Sequence, residues 1–492
     1  LGLRWEIETP FTERYDRMFY DFSPNEDLGI TVPGIGPLKG GVRFVNTGGL
    51  PRRQGTLDKN NFGPRIGIAY TADSKTVIRA AWGLVYEGLI NNLTDMLAQP
   101  FIPASYTFRT NYVGSADGNR TVIPGVNLSN PFPNGFNPIT GNSLGNRTQL
   151  GDSVAYINPD IRLPQIHQIQ VTLQRQLPWS SVAEVAYVGV RYDGLFWGPG
   201  YNLNEVPDEY RMEDQAVPNP FLNILPPASV RGSAATITAN QLKTRFPHFT
   251  SVTEYNARGP WGRYHALQTR WEKRLSHGVQ VVANYTFSKN MEFTPQSVVN
   301  ERFYKTVTSS DRPHLGRVFF TGELPFGRNR WKGHAWPGWL QHIAGGWSLS
   351  WAFKYATGAP LGLSGPNGRP IPLANPRTNA SVHDALGTTP GGIPYLDITK
   401  IQPLLSKYDI TPEPERYSWL RAPDRITHDA VFFKQFDITE RFAFDLRAET
   451  INVFNSPLWG DPGTNINNTT TFGRITSGEN PRTFRLTGRL TF

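Results

Sequence analysis

Along most of this chain, apolar and polar residues alternate one for one. In 482–492, Phe484, Leu486, Gly488, Leu490 and Phe492 fall on one side of an extended chain, and Thr483, Arg485, Thr487, Arg489 and Thr491 on the other. A strand turns successive side chains to opposite faces, so a period of two selects β-structure with two unlike faces. The same pattern recurs in 77–86, 168–174, 279–288, 346–356 and 441–449. Less regular stretches near 181–193 and 426–437 join them. The pattern predicts twelve strands, at about 1–8, 62–72, 75–87, 163–176, 181–193, 262–275, 279–289, 313–325, 345–357, 426–437, 440–455 and 482–492.

The connections between these strands are lopsided. On one side they are turns such as Asp73-Ser74, Ser276-His277-Gly278 and Ile438-Thr439, with 326–344 the one longer link. On the other side they are 9–61, 88–162, 194–261, 290–312, 358–425 and 456–481, which together hold well over half the chain. Short turns at one end and long loops at the other are the layout of an outer-membrane β-barrel. A closed sheet pairs every backbone group, which a hydrocarbon environment demands.

Composition agrees with this architecture. Gly (47) and Pro (41) are too abundant for a helical protein, because both are poor in helix interiors. Aromatic residues make up 12%, which argues against disorder. No stretch of about 18 apolar residues exists, so no transmembrane helix is expected. That leaves strands, whose spanning segments need apolar residues at only every second position. A soluble β-sandwich would alternate too. Aromatic residues near strand ends, the lopsided connections and the terminal strand ending in Phe492 favour the membrane.

Several segments resemble the C-terminal barrel of TonB-dependent outer-membrane receptors, in the Oar-like branch that carries a carboxypeptidase-regulatory-like domain. They are Lys59-Asn60-Asn61-Phe62-Gly63-Pro64-Arg65-Ile66-Gly67-Ile68-Ala69-Tyr70, Thr76-Val77-Ile78-Arg79, Tyr285-Thr286-Phe287-Ser288-Lys289 and Gly322-Glu323-Leu324-Pro325-Phe326-Gly327. Gly345-Gly346-Trp347, Arg447-Ala448-Glu449, Asn452-Val453-Phe454-Asn455, Thr471-Phe472-Gly473-Arg474-Ile475-Thr476 and Asn480-Pro481-Arg482 continue the series. The resemblance implies an all-β, antiparallel up-and-down transmembrane barrel of 22 strands, occluded by a plug. Residues 1–492 would then be one barrel unit, about its last twelve strands. The plug, the regulatory-like domain and the TonB box are expected outside these residues, since the chain enters directly on a strand at Leu1.

Chemistry is sparse. No HExxH motif, phosphate loop, calcium loop or nucleophile elbow is present, so neither an enzyme nor a cofactor is expected. The chain has no Cys, which excludes disulfides and thiolate metal sites. His334 and His342 are too loosely spaced to read as a metal pair. The net charge of +9 is spread without a basic stripe, so nucleic acid is not an expected partner. Parity places Arg79, Arg270, Glu272, Arg317, Glu323, Lys354, Asp445, Arg447, Glu449, Arg485 and Arg489 on the polar faces, where they would line a lumen. Such charges pair across strands, and some would contact a plug or guide a solute. In the terminal strand, Phe484, Leu486, Leu490 and Phe492 resemble the signal read by the barrel-assembly machinery. An edge strand with open hydrogen bonds can dock on another sheet edge.

The leading expectation is energy-coupled uptake of a small solute (siderophore, oligosaccharide or peptide) across the Gram-negative outer membrane. The partners would be membrane lipid and lipopolysaccharide, the TonB complex through residues beyond these, and the assembly machinery. A passive porin or adhesion barrel, and a soluble all-β carbohydrate-binding protein, are the alternatives. An upstream plug and TonB box separate the first from the porin. A need for detergent separates both from the soluble protein.

Overall fold

The computed structural model describes residues 1–10, 12, 14–88, 112–114, 120–122, 141–327, 332–333, 335–379 and 391–492. Twelve strands follow one another in a single antiparallel ladder. They are β1 (Gly2–Glu6), β2 (Asn61–Asp73), β3 (Thr76–Tyr86), β4 (Gln165–Leu177), β5 (Ser181–Asp193) and β6 (Trp261–Ser276), then β7 (Val279–Ser297), β8 (His314–Glu323), β9 (Ser348–Ala356), β10 (Arg425–Asp437), β11 (Ala443–Ile451) and β12 (Thr483–Thr491). Each pairs with its neighbours in chain order, so the up-and-down topology expected from the alternation is the one observed. Among the described residues, β1 and β12 are not paired with each other and form the two edges.

Register makes the two faces continuous. Ile78 stands across from Tyr70 and Leu173, Val171 from Ala80 and Tyr187, and Trp271 from Ala183 and Ala283. Val318 faces Ala283 and Phe353, and Phe444 faces Phe436 and Leu490. The result is an apolar face that runs across all twelve strands, interrupted on β10 by His428 and Lys434. Many of its members remain exposed, among them Ile68, Val171, Leu173 and Leu267. An apolar sheet face of this extent, left uncovered by protein, has lipid as its natural solvent.

Tight turns explain the short side. His277 (φ 52) and Gly278 (φ 72) both take left-handed conformations between Ser276 and Val279, as a two-residue primed hairpin turn requires. The 326–344 link contains a short helix, α1 (Gly338–Ala344). His334 lies outside the described residues.

The long connections carry structure of their own. Phe19–Val32 pairs with Gly36–Phe44 as a hairpin, and Ser153–Ile157 runs parallel to Ser251–Tyr255. Phe22, Val154, Phe221, Phe246 and Phe249 close a core among these segments, drawn from three different connections. A second core joins Leu361, Tyr395, Leu420, Trp459 and Ile475 from the last two long connections. Each fully buried aromatic or aliphatic side chain stabilises its module by about 1.5–3 kcal/mol. The described parts of the stretches expected as loops therefore build two folded modules at one end of the sheet.

Three boundaries differ most from the sequence expectation. The strand expected at 440–455 ends at Ile451, because Asn452 (φ 54) leaves the extended region. Its amide caps the following turn instead, donating to the Ser456 and Asn480 carbonyls at 2.9 and 2.6 Å. The strand expected from 345 starts at Ser348, because Gly345 and Gly346 (φ 75) end α1. In the other direction β7 runs on to Ser297, lengthened by pairing with Arg302–Val307 above the main ladder.

Candidate solute-facing surface

The face opposite the lipid-like band is polar on most of the long strands, with β5 (Val182, Ala186, Val188 and Val190) and β10 (Val431 and Phe433) mixing apolar residues into it. β4 contributes Gln168, Gln170, Thr172, Gln174 and Gln176 by alternation, and its neighbours add charges at matching register. All eleven charged residues singled out from sequence parity lie on this face.

The structure gathers most of them into small clusters. Arg447 Nε meets Glu449 Oε1 at 2.6 Å, and Arg485 Nη1 approaches Glu449 Oε2 at 3.6 Å. Asp445 stands directly across from Arg489. Arg270 Nη2 bonds Glu272 Oε2 at 2.8 Å on the same strand, with Glu184 across from Arg270. Lys354 Nζ lies 3.7 Å from Asp429 Oδ2, and Arg317 faces Lys354 and Asn284. Arg79 stands apart from these and donates to Gln174 Oε1 at 2.6 Å. With Gln176, Lys75, Arg274 and Val182 these two line a depression of about 570 Å³ at the short-turn end. Glu323 stands across from Ser348, also near that end. Pairs this exposed contribute about 0–1 kcal/mol each. Their effect is to keep the face wet and patterned with both signs.

Glu184 and Asp429 belong to the same surface but were not singled out from the sequence. They sit on β5 and β10, whose alternation is poor. β10 puts Phe433 and Val431 on the polar face, and His428 and Lys434 on the apolar one, so parity alone misleads there.

The terminal strand shows a different geometry. Phe484, Leu486 and Leu490 point to the apolar face, and Phe492 follows the last paired residue. Phe492 is 90% exposed, and all of β12 lies at an open edge.

The modules are tied to the strand ends by specific polar contacts. Arg416 Nη1 donates to Glu292 Oε1 at 2.8 Å, and Tyr304 Oη donates to the Thr411 carbonyl at 2.7 Å. Arg421 reaches the 308–312 turn, where its Nη2 bonds Asp311 Oδ2 at 2.5 Å. Inside the first module, His248 is almost fully buried against Phe249, with Nε2 3.3 Å from the Gly40 carbonyl and Nδ1 unpartnered. Burial disfavours its charged form and pushes its pKa down to about 4. Unfolding would let it take up a proton below its ordinary value of 6.5. Stability is therefore full above about 6.5 and falls by roughly 1.4 kcal/mol per pH unit down to about 4. Hydrogen exchange of the 201–255 segment should accelerate over that window, and His248→Gln should flatten the dependence.

Among the described residues no group of His, Asp or Glu could hold a metal ion.

The chain matches the family described as the outer membrane beta barrel domain over residues 1–485. No curated protein matches it in sequence. Among solved structures it is similar to the ferripyoverdine receptor of Pseudomonas aeruginosa, with 10% identity and a TM-score of 0.38, over 92% of this chain and 35% of that one. It is also similar to the outer membrane transporter YddB from Escherichia coli, with 11% identity and a TM-score of 0.39, over 88% of this chain and 41% of that one. The siderophore receptor PirA from Acinetobacter baumannii shows 8% identity and a TM-score of 0.39, over 89% of this chain and 41% of that one. The chain thus spans less than half the length of each. With the twelve-strand ladder and its apolar band described above, the family match means that this chain belongs to the outer-membrane β-barrel domain family and resides in the outer membrane of a Gram-negative bacterium.

Proposed function

We propose that the protein is a TonB-dependent receptor that takes up a small solute across the outer membrane by energy-coupled gating. The observation that carries this reading is the polar sheet face bearing clustered charges of both signs, with folded modules tied to the strand ends on one side. A wall of that kind suits contact with a polar plug and passage of a hydrated solute. The motif resemblance to receptor barrels supports it further. A siderophore, an oligosaccharide or a peptide would be captured by the modules, because binding residues concentrate on segments held by a rigid scaffold.

On this reading the twelve strands are part of a larger, 22-stranded wall. Among the described residues the outer edges of β1 and β12 have no partner strand, which supports that, since open backbone groups in hydrocarbon cost several kcal/mol each. Plug and TonB box would be supplied by residues beyond these.

Conductance of the full-length protein in a planar bilayer separates this reading from a passive porin. A plugged receptor stays closed, and a stable open channel would contradict it. Within the wall, Arg447→Glu should leave heat-modifiable assembly intact and change uptake. Unchanged uptake would remove Arg447 from the solute path. The exposed Phe492 is read as part of the assembly signal. Its deletion should reduce the fraction inserted into the outer membrane, and wild-type insertion would oppose that role.

A further inference from the structure

The link 326–347 is the one long connection at the short-turn end, and none of the roles above uses it. In an outer-membrane barrel the short turns lie on the periplasmic side. Its helix α1 does not hang free there. Lys434, buried on β10, stands across from Leu446 on the apolar face and donates to the carbonyls of His342 and Gly345. These are carbonyls at the C-terminal end of α1, where a cation is favoured. Lys434 therefore pins α1 against the lipid-facing side of the wall, not the polar side.

The rest of the link is built around that pin. Phe326 stacks on Trp336 with ring centroids 6.3 Å apart, and Trp347 Nε1 donates to the Ile343 carbonyl at 2.9 Å. Trp339 and Ile343, four apart on one helix face, are left 65% and 61% exposed. Three more exposed apolar residues stand in turns at the same end of the sheet or beside one: Trp179, Ile438 and Phe442. From Phe326 to Trp347 the sequence contains no Asp or Glu. Within this acid-free, tryptophan-rich sequence, α1 and its flanks continue the apolar band at its rim, as an interfacial helix on a phospholipid leaflet does.

We infer that 335–347 is an interfacial foot: it lies along the periplasmic leaflet of the outer membrane, with Trp339 and Ile343 in the boundary between phospholipid headgroups and acyl chains. The foot would fix the depth and tilt of the wall near β8–β10, as aromatic anchors do for other spanning elements. The occupant is lipid because the exposed residues continue a face that lipid already covers.

The inference rests on the outer-membrane reading, and the test separates the two. Residues 1–492 contain no Cys, so once any Cys outside them is replaced by Ser a nitroxide can be placed at a single engineered thiol without background. Ile343→Cys and Trp339→Cys in the full-length protein, reconstituted in phospholipid bilayers, are compared with Val171→Cys on the apolar face and Leu405→Cys, which is 85% exposed in a long connection. Collision with oxygen against collision with a water-soluble nickel complex reports depth. The foot predicts that labels at 343 and 339 sit roughly 5–10 Å inside the phosphate plane. Water-like accessibility equal to that at 405, with 171 still lipid-like, would overturn the foot and leave the barrel standing. Low collision with both reagents would mean protein covers the helix and would overturn it too. Loss of the lipid signature at 171 would overturn the membrane reading on which the foot depends.

Discussion

Replacing Asp311 by Ala should destabilise the second module against its strand ends by about 3–5 kcal/mol, the largest single-residue effect expected in the extramembrane part. Asp311 is 1% exposed and its partner Arg421 is 9% exposed. Asp311 Oδ1 accepts the Asn290 amide at 2.7 Å, while Oδ2 takes Arg421 Nη2 at 2.5 Å. Arg421 spends its remaining donors on the carbonyls of Asp311, Gly358 and Ser418, at 3.0, 3.2 and 2.9 Å. The pair therefore fastens three segments together: the β7–β8 turn, the end of β9 and the 418–421 stretch. Removing the carboxylate leaves a buried guanidinium facing only neutral carbonyls. Hydrogen exchange across 393–422 should accelerate strongly in Asp311→Ala, while β4 and β5 keep their protection. Asp311→Asn, which keeps the volume and the Asn290 contact, should lie between. Unchanged exchange in Asp311→Ala would show that the module is held by its apolar core alone.

The second large effect concerns the faces of the sheet. Val171→Arg should cost about 2–4 kcal/mol, because it sets a charge at the middle of a lipid-facing strand. Val171 is the central residue of β4, across from Ala80 and Tyr187. Its neighbour Gln170 projects to the opposite, polar face, so Gln170→Arg should be close to neutral. Urea titration of the two variants folded into lipid vesicles gives the comparison. Equal destabilisation by both would contradict the assigned faces. The same logic predicts that Arg79 and Arg270 tolerate Gln far better than Ile68 or Leu267 do.

Much of the wall was legible in the sequence because its physics is local. Alternation depends only on neighbours two apart, so β4, β7 and β12 declared themselves through Gln168–Gln174, Val279–Phe287 and Phe484–Phe492. Parity then carried the eleven charges to the face where register places them. The modules were not legible, because their cores assemble over long separations. Phe22, Tyr156 and Phe249 meet although more than 90 residues separate each from the next. Arg421 and Asp311 are 110 residues apart, and no periodicity links them. A nearer signal was available for the Phe19–Phe44 hairpin. The Pro33-Gly34 step between two extended runs, with Gly34 (φ 78) and Gly36 (φ 99) left-handed, is a turn by its chemistry. α1 escaped because a helix of this length shows barely two turns of period. Glu184 and Asp429 escaped because β5 and β10 mix the faces. On β10 the reason is visible: Lys434 occupies an apolar-face position so that it can hold α1.

The central claim is that a single continuous sheet has one face in lipid and the other in water. Cysteine substitution at each residue from Gln168 to Leu173, one at a time, tests it most directly. The protein would be left in native outer membranes and exposed to a small water-soluble maleimide after solute-permeable access to both sides is confirmed. Residues 168, 170 and 172 should label, and 169, 171 and 173 should not, in strict alternation. Uniform labelling of all six, or the opposite phase, would contradict the account.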